Sequence, residues 1–255
     1  MEKTHEKIVV NNSDWFKHWF DSAFYHKLYS NRDEKEAAGF IDQLLEKLQP
    51  GSHAQMLDLG CGNGRHSKYL AAKGFNVTGI DLAASSIKSA KKWETAMLQF
   101  YRHDMRLPFG KNCFSHVFSF FTSFGYFKTQ EEDESVIGNI SAALKPGGIL
   151  VMDYINSSYA EKKLVPAGTK EIDGITYTIT RWDDKKHFFK KITVGDVQAG
   201  EPFEYIEQVA KFSLHHFDEM FCRHGLQLQQ VYGDYNLDEY NSATSPRLIL
   251  LAKKK

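Results

Sequence analysis

The sequence predicts an α/β protein in which a mainly parallel β-sheet is covered by helices on both faces. Short apolar runs alternate with helical patterns between Met56 and Asp153, and strand–helix alternation at this spacing is typical of parallel sheets. Between about Lys170 and Phe212 the pattern changes to successive strands with alternating polar and apolar residues. This change predicts a small antiparallel sheet inserted into the main domain.

The elements of the main domain each have a local signal. Apolar runs predict strands at 56–59, 75–81, 98–102, 114–121 and 149–153, with helices at 65–73, 85–93 and from 131 onward. The last of these helices has apolar residues at helical spacing from Val136 to Leu144, and Pro146-Gly147-Gly148 turns the chain into the next strand. After the insert, the pattern predicts a helix at 216–224 and strands at 226–232 and 247–252.

The N-terminal region and the insert lie outside this alternation. Seven aromatic residues fall between positions 14 and 29, which predicts a partly helical segment that covers something apolar. The insert has strand patterns at 175–180, 191–194 and 205–209, separated by turn-rich segments at 183–186 and 198–202. We therefore divide the chain into an N-terminal aromatic lid segment (1–35), a core domain (36–154 and 213–255) and an inserted antiparallel β subdomain (155–212).

Composition narrows the possible functions. The 255 residues contain 32 Lys and Arg against 32 Asp and Glu, so the chain lacks the positive charge of a general nucleic-acid or membrane-surface binder. No apolar run approaches the roughly 20 residues of a membrane span, and the first residues do not read as a signal peptide. Cys61, Cys113 and Cys222 are odd in number and scattered, which predicts neither a disulfide framework nor a metal site. We expect a cytoplasmic protein that contacts neither nucleic acid nor membrane.

The most informative segment is Asp58-Leu59-Gly60-Cys61-Gly62-Asn63-Gly64, between a predicted strand and a predicted helix. Glycines at alternate positions let the backbone turn tightly and approach a ligand closely. Asp81 ends the next predicted strand, and a carboxylate there suits the vicinal diol of a ribose. Together these residues predict a nucleoside-cofactor site at the carboxyl ends of the first two strands.

The charge of the loop discriminates between cofactors. A dinucleotide fold uses the spacing G-x-G-x-x-G and places a pyrophosphate on the helix N-terminus, whereas this loop has G-x-G-x-G. The Asp58 carboxylate would repel a pyrophosphate and attract a cation. A ligand that is at once a nucleoside, a cation and an amino acid is S-adenosylmethionine, so an NAD-dependent dehydrogenase fits poorly.

The same residues resemble a known family. The loop from Asp58 to Gly64 is similar to the first motif of class I S-adenosylmethionine-dependent methyltransferases, and Asp81-Leu82 resembles their ribose-binding position. The segment 102–109 resembles their third-strand motif, and 144–148 resembles the turn before their fifth strand. The resemblance covers roughly residues 48–153 and recurs in the last two strands.

This resemblance implies a doubly wound, seven-stranded Rossmann-like sheet whose last strand is antiparallel beside the fifth. It also implies S-adenosylmethionine as cofactor, with the methionine portion near Asp58 and the loop backbone, the ribose on Asp81, and the adenine near Leu82, Asp104 and Met105. The predicted cofactor-binding residues are Asp58, Gly60, Cys61, Gly62, Gly64, Asp81, Leu82, Asp104, Met105 and Phe120.

The activity that follows is methyl transfer to a small-molecule acceptor by in-line displacement, which mainly requires positioning and exclusion of water. The predicted acceptor-contacting residues are Tyr25, Tyr29, Arg65, Phe124 and Tyr126. No catalytic residue stands out, and His18, His26 and Tyr29 are the candidates for a base. Two alternatives remain open, namely an RNA or protein acceptor and a cofactor-binding module without catalysis. The acceptor and the oligomeric state are left undetermined.

Overall fold

A seven-stranded mixed sheet forms the centre of a computed structural model of the protein, which describes residues 15–30, 34–196 and 203–255. The described residues fall into two units. The large unit comprises 34–162 and 212–255, and the small unit comprises 15–30, 163–196 and 203–211.

The large unit contains the sheet and the helices that cover it. Its strands run in the order β10-β11-β5-β4-β1-β2-β3, and β11 is antiparallel to both of its neighbours. The predicted seven-stranded sheet with an antiparallel last strand beside the fifth is therefore confirmed. The elements are α3 (Glu34–Leu48), β1 (Gln55–Leu59), α4 (Arg65–Ala72), β2 (Asn76–Asp81), α5 (Ala84–Ala90), β3 (Leu98–Arg102), β4 (Phe114–Ser119), α6 (Gln130–Ala143), β5 (Leu144–Ile155), α7 (Ser157–Lys162), α8 (Leu214–Arg223), β10 (Leu226–Tyr232) and β11 (Arg247–Lys254).

The central strands are buried on both faces, which explains their nearly continuous apolar sequence. Val117 of β4, Val151 of β5 and Leu250 of β11 are all fully buried. Gly79 of β2 is required by this packing, because a Cβ there would lie 2.6 Å from the ring of Phe100. Burial on both faces thus accounts for the apolar character of the central strands.

Two local predictions for the large unit were wrong, and one helix was missed. β4 ends at Ser119 and not at Phe121, because Phe121 and Thr122 take the left-handed conformation with φ of 54° and 58°. β5 begins at Leu144, before the Pro146-Gly147-Gly148 turn, and its register with β4 shifts there. Helix α7 was not predicted.

The small unit combines the N-terminal helices with the inserted sheet. Its elements are α1 (Trp15–Trp19), α2 (Ala23–Leu28), β6 (Ala167–Ile172), β7 (Ile175–Asp183), β8 (His187–Asp196) and β9 (Phe203–Ala210), with the strands antiparallel in the order β6-β7-β8-β9. The predicted antiparallel sheet and N-terminal helices are confirmed, and β6 adds a strand that was not predicted. The predicted turn at 198–202, and positions 1–14 and 31–33 of the N-terminal segment, lie outside the described residues.

The N-terminal aromatic residues pack against the inserted sheet. The Trp19 ring lies 4.5 Å from that of Tyr205, and its Nε1 donates a hydrogen bond of 2.6 Å to Glu207. The sequence-based division separates 1–35 from 155–212, whereas the structure groups the N-terminal helices with residues 163–196 and 203–211 and leaves α7 in the large unit. The lid role of the N-terminal segment stays a prediction.

No helix within the three described ranges combines the length and the apolar character that crossing a bilayer demands.

Truncating Trp19 tests the packing of the small unit. Trp19 is fully buried, so Trp19→Ala is expected to lower the free energy of unfolding by about 3–5 kcal/mol. Trp182 is the matched control, because it lies on the opposite face of the same sheet and is 39% exposed. Trp182→Ala should cost less than about 1 kcal/mol. Urea denaturation followed by far-UV circular dichroism measures both, and equal losses would contradict the packing described.

Candidate cofactor site

The loop between β1 and α4 depends on its glycines. Gly60, Gly62 and Gly64 have φ values of 74°, 55° and 81°, which L side chains rarely adopt. A Cβ on Gly60 would lie 2.6 Å from that of Ser123, and one on Gly64 would lie 2.5 Å from the Phe100 ring. A Cβ on Gly62 would meet no protein atom within 4 Å. Gly62 therefore leaves an open stretch of backbone that a ligand can approach.

Asp58, at the end of β1, carries a buried carboxylate beside this loop. It is 1% exposed, and the Ser67 hydroxyl donates a hydrogen bond of 2.6 Å to its Oδ2. Burial, assisted by the nearby Asp81 charge, raises the pKa of Asp58 to about 6 although the Ser67 hydrogen bond opposes the shift. The nearby Arg65 charge also opposes the shift without cancelling it, so the carboxylate remains poorly stabilised as an anion. This environment favours a cationic ligand, as the charge of the predicted cofactor requires.

Asp81, at the end of β2, ties two backbone segments together. Its Oδ2 accepts a hydrogen bond of 2.8 Å from the Gly62 amide, and its Oδ1 accepts one of 2.8 Å from the Ala83 amide. Each carboxylate oxygen can accept a second donor, so the predicted contact with ribose hydroxyls is chemically open to Asp81. Leu82 follows it and is partly buried.

The loop after β3 is held by partners that the sequence did not predict. The Arg106 guanidinium donates to both oxygens of Asp104, at 3.1 Å from Nε to Oδ1 and 2.7 Å from Nη2 to Oδ2. Arg106 also pairs with Glu132 of α6 at 2.5 Å. A Cβ added to Gly60 would lie 3.6 Å from the terminal methyl carbon of Met105. The structure thus brings Met105 beside the glycine loop, while the adenine contact of Asp104 stays a prediction.

The loop after β4 also reaches the glycine loop. Phe120 is 3% exposed and packs in the core, with its ring 4.6 Å from that of His66. The neighbouring Phe121 is only partly buried; its ring stacks 5.2 Å from His66 and lies 5.0 Å from the Arg65 guanidinium carbon. Phe121, which was not among the predicted site residues, therefore meets the predicted acceptor residue Arg65. The predicted cofactor contact of Phe120 stays a prediction.

The aromatic residues further along this loop have different environments. Phe124 is fully buried, and its ring packs against those of Tyr154, Phe212 and Phe217. It presents no exposed ring to an acceptor in this structure, so its position supports core packing instead of the predicted acceptor contact. Tyr126 is partly exposed, and its predicted role stays a prediction.

The other predicted acceptor and base residues belong to the small unit. The Tyr29 hydroxyl donates a hydrogen bond of 3.2 Å to Glu207 and accepts one from Lys190. Burial lowers the pKa of Lys190. Tyr25 packs with its ring 4.8 Å from that of Tyr29 and 5.7 Å from that of His26. Contacts within the small unit thus account for the positions of Tyr25, Tyr29 and His26. The catalytic or acceptor roles of these residues stay predictions.

Sequence reasoning missed Ser67, Arg106, Phe121 and Ser123. Only Ser67 had a usable signal, because a hydroxyl in the first turn of the helix after a glycine loop faces the end of the preceding strand. Cys61 is buried and its thiol pKa is raised by burial, in agreement with a packing role. No group of three or more potential metal ligands occurs in the part of the chain that the structure describes.

Comparison with known proteins gives consistent results. The methyltransferase domain family matches residues 56–148. The Bacillus subtilis (strain 168) protein named as methyltransferase YqeM is 30% identical over 209 residues, which cover 78% of this chain and 84% of that protein. A dTDP-3-amino-3,4,6-trideoxy-alpha-D-glucopyranose N,N-dimethyltransferase of Streptomyces venezuelae is 26% identical over 220 residues, which cover 82% of this chain and 91% of that protein.

A solved structure shows the same fold. The crystal structure of an S-adenosylmethionine-dependent methyltransferase from Clostridium acetobutylicum ATCC 824 superimposes with a TM-score of 0.75 at 17% identity, covering 91% of this chain and 96% of that one. The relatives, the fold and the loop with its buried carboxylate agree with one another. The chain therefore belongs to the class I S-adenosylmethionine-dependent methyltransferases.

Proposed function

We propose that this enzyme methylates an amino group on a small, polar, sugar-like molecule, and that Asp58, the glycine loop and Asp81 hold its cofactor. The observation that carries the cofactor assignment is the Asp58 carboxylate, which is 1% exposed beside the open backbone at Gly62. Burial raises the pKa of this carboxylate, and the nearby Arg65 charge opposes the rise only weakly. The ammonium group of S-adenosylmethionine would supply a direct positive partner.

The acceptor class is supported by a relative and by composition. The Streptomyces venezuelae relative is named for an amino sugar linked to a nucleotide, and the similarity extends over 91% of its length. The formal net charge of zero gives no support to an RNA acceptor, which would favour a basic surface. A small acceptor with a neutral amine is the simplest substrate that meets both observations.

The residues of the site have separable tasks in this reaction. S-adenosylmethionine, when bound, supplies a methyl group already activated on a sulfonium. Asp58 would hold the positive amino-acid end, the Gly62 backbone would allow close approach, and Asp81 would orient the ribose. The Phe121 ring packs against Arg65, the first residue of α4, and the pair would help to exclude water, which strengthens electrostatic interactions at the site. The protein contributes mainly by holding the acceptor in line.

Replacing Asp58 should separate stability from binding. Its folded-state pKa of about 6 exceeds the ordinary 3.8, so its contribution to stability is complete below about pH 4 and is lost as the pH rises through 6. The side chain introduced by Asp58→Asn cannot ionise, so the variant does not lose this stability at high pH. Its free energy of unfolding at pH 7.5 should exceed that of the wild type by at most about 3 kcal/mol. The gain in stability should vanish near pH 4.

The affinity of Asp58→Asn for S-adenosylmethionine should fall roughly 10- to 100-fold, as expected when a charge-assisted hydrogen bond is lost.

Asp133 provides the matched control for Asp58. It is 3% exposed, and burial together with the Glu132 and Glu134 charges raises its pKa to about 7. Asp133→Asn should therefore also stabilise the protein at pH 8 without changing cofactor affinity. Thermal denaturation across pH 4–8 and titration calorimetry measure the two effects. Unchanged affinity in Asp58→Asn would contradict the proposed site.

The acceptor class can be tested directly. The enzyme is incubated with S-adenosylmethionine and one acceptor at a time, namely a dTDP-linked amino sugar, a catechol or total tRNA, and formation of S-adenosylhomocysteine is measured. We expect turnover with the amino sugar, at a rate that rises with pH as its ammonium group loses the proton that blocks the nucleophilic lone pair. Asp58→Asn, assayed at the same cofactor concentration, serves as the low-activity control.

Two outcomes would contradict this proposal. Turnover with tRNA and not with the amino sugar would point to the RNA alternative. Cofactor binding without turnover on any acceptor, including a protein extract, would favour the non-catalytic module.

A further inference from the structure

We propose that Asp153 and Arg247 are positioning residues for methyl transfer, because together they hold the loop after β4 against the glycine loop. Neither residue is among the predicted site residues. The inference rests on the proposed placement of the cofactor at the glycine loop. It does not depend on the identity of the acceptor.

Asp153 is a fully buried carboxylate near the end of β5. Its Oδ2 accepts hydrogen bonds from the Phe121 amide at 2.8 Å and from the Tyr235 hydroxyl at 3.2 Å. Its Oδ1 accepts one from Arg247 Nε at 2.7 Å, and its main-chain carbonyl accepts one from the Thr122 amide at 3.0 Å. One residue thus binds the backbone of both Phe121 and Thr122.

Arg247 completes the attachment from the neighbouring strand. It is the first residue of β11, and its Nη2 donates a hydrogen bond of 2.8 Å to the Thr122 hydroxyl. The same guanidinium therefore bridges Asp153 and Thr122. A lysine could neutralise Asp153, but its single ammonium group does not reproduce this planar pair of donors.

The segment held in this way is conformationally strained. Phe121 and Thr122 have φ values of 54° and 58°, and a left-handed conformation is a genuine outlier for a β-branched residue such as threonine. Such residues persist only where the surroundings over-determine them, and they cluster at functional sites. Here Phe121 and Thr122 are held by the hydrogen bonds that Asp153 accepts and by the one that Arg247 donates.

The strained loop determines what lies beside the proposed cofactor site. Directly after it, the Ser123 hydroxyl is 2.8 Å from the carbonyl oxygen of Phe120 and 3.4 Å from that of Gly60. The Phe121 ring meets Arg65 and His66 at the start of α4. Asp153 and Arg247 therefore act through Phe121, Thr122 and Ser123 on the carboxyl ends of β1 and β4.

The experiment is titration calorimetry with S-adenosylhomocysteine, well below the thermal midpoint of each variant. Asp153→Asn removes the charge that holds the loop, and we expect roughly tenfold weaker binding. Adding Thr122→Asn should restore most of this affinity, because asparagine enters the left-handed region more readily than threonine does. If the ion pair contributed only to stability, Thr122→Asn would not restore the affinity for S-adenosylhomocysteine.

Two further variants keep the test decisive. Arg223→Gln breaks the Arg223–Glu134 ion pair elsewhere in the large unit and should leave binding within about twofold of the wild type. If Asp153→Asn does not fold, Arg247→Lys replaces it, and we expect several-fold weaker binding.

The inference is overturned if Asp153→Asn, or Arg247→Lys in its place, lowers the thermal midpoint and leaves the affinity within about twofold of the wild type. It is also overturned if Thr122→Asn gives no rescue. Failure of the wild type to bind S-adenosylhomocysteine would instead refute the proposed cofactor site. Weak binding by Asp58→Asn alongside normal binding by Asp153→Asn would refute only the present inference.

Discussion

Burial of the Asp58 carboxylate at the end of β1 is the constraint around which the rest of the site is arranged. The carboxylate is buried, and the Ser67 hydroxyl donates a hydrogen bond of 2.6 Å to it. An ionised group in such a place costs folding free energy unless a positive charge joins it. The free protein therefore retains an unfavourable charge that a cationic cofactor would offset.

Three aspartates lie at or near the carboxyl ends of buried strands, and their hydrogen-bond partners determine what each one does. Asp58 has a side-chain hydroxyl as its donor, which leaves its charge largely uncompensated. Asp81 receives the amides of Gly62 and Ala83 and so joins the glycine loop to β2. Asp153 receives a backbone amide, a phenol and a guanidinium. The same chemical group is thus a poorly compensated buried charge at Asp58, a link between loop and strand at Asp81, and a hydrogen-bonded centre at Asp153.

The small unit depends on a different balance of interactions. Lys190, Glu207 and Tyr29 form a polar cluster that is partly buried, and Trp19 contributes a third donor to Glu207. Burial disfavours the charged form of Lys190, but the opposite charge of Glu207 lies 3.3 Å away. Residues separated by 188 positions in sequence are joined by the bond from Trp19 to Glu207. The N-terminal aromatic segment thus packs on the face of the inserted sheet that carries Tyr205 and Glu207.

The local sequence determined the features that depend on neighbouring residues. The glycine loop, Asp58, Asp81 and the alternation of strands and helices follow from backbone freedom, charge and periodicity within a few positions, and the structure contains all of them. Strand β6 and helix α7 were missed because both are short and largely exposed, so they have little apolar pattern to detect.

The tertiary structure decided the features that depend on distant partners. The sequence pattern predicts Phe121 as the end of an apolar strand. In the structure it leaves the sheet, because its amide donates a hydrogen bond to Asp153, 32 positions later. Arg247 reaches Asp153 across 94 positions and Arg106 reaches Glu132 across 26. Neither spacing nor periodicity encodes such pairs, since each forms only after the sheet has brought the strand ends together.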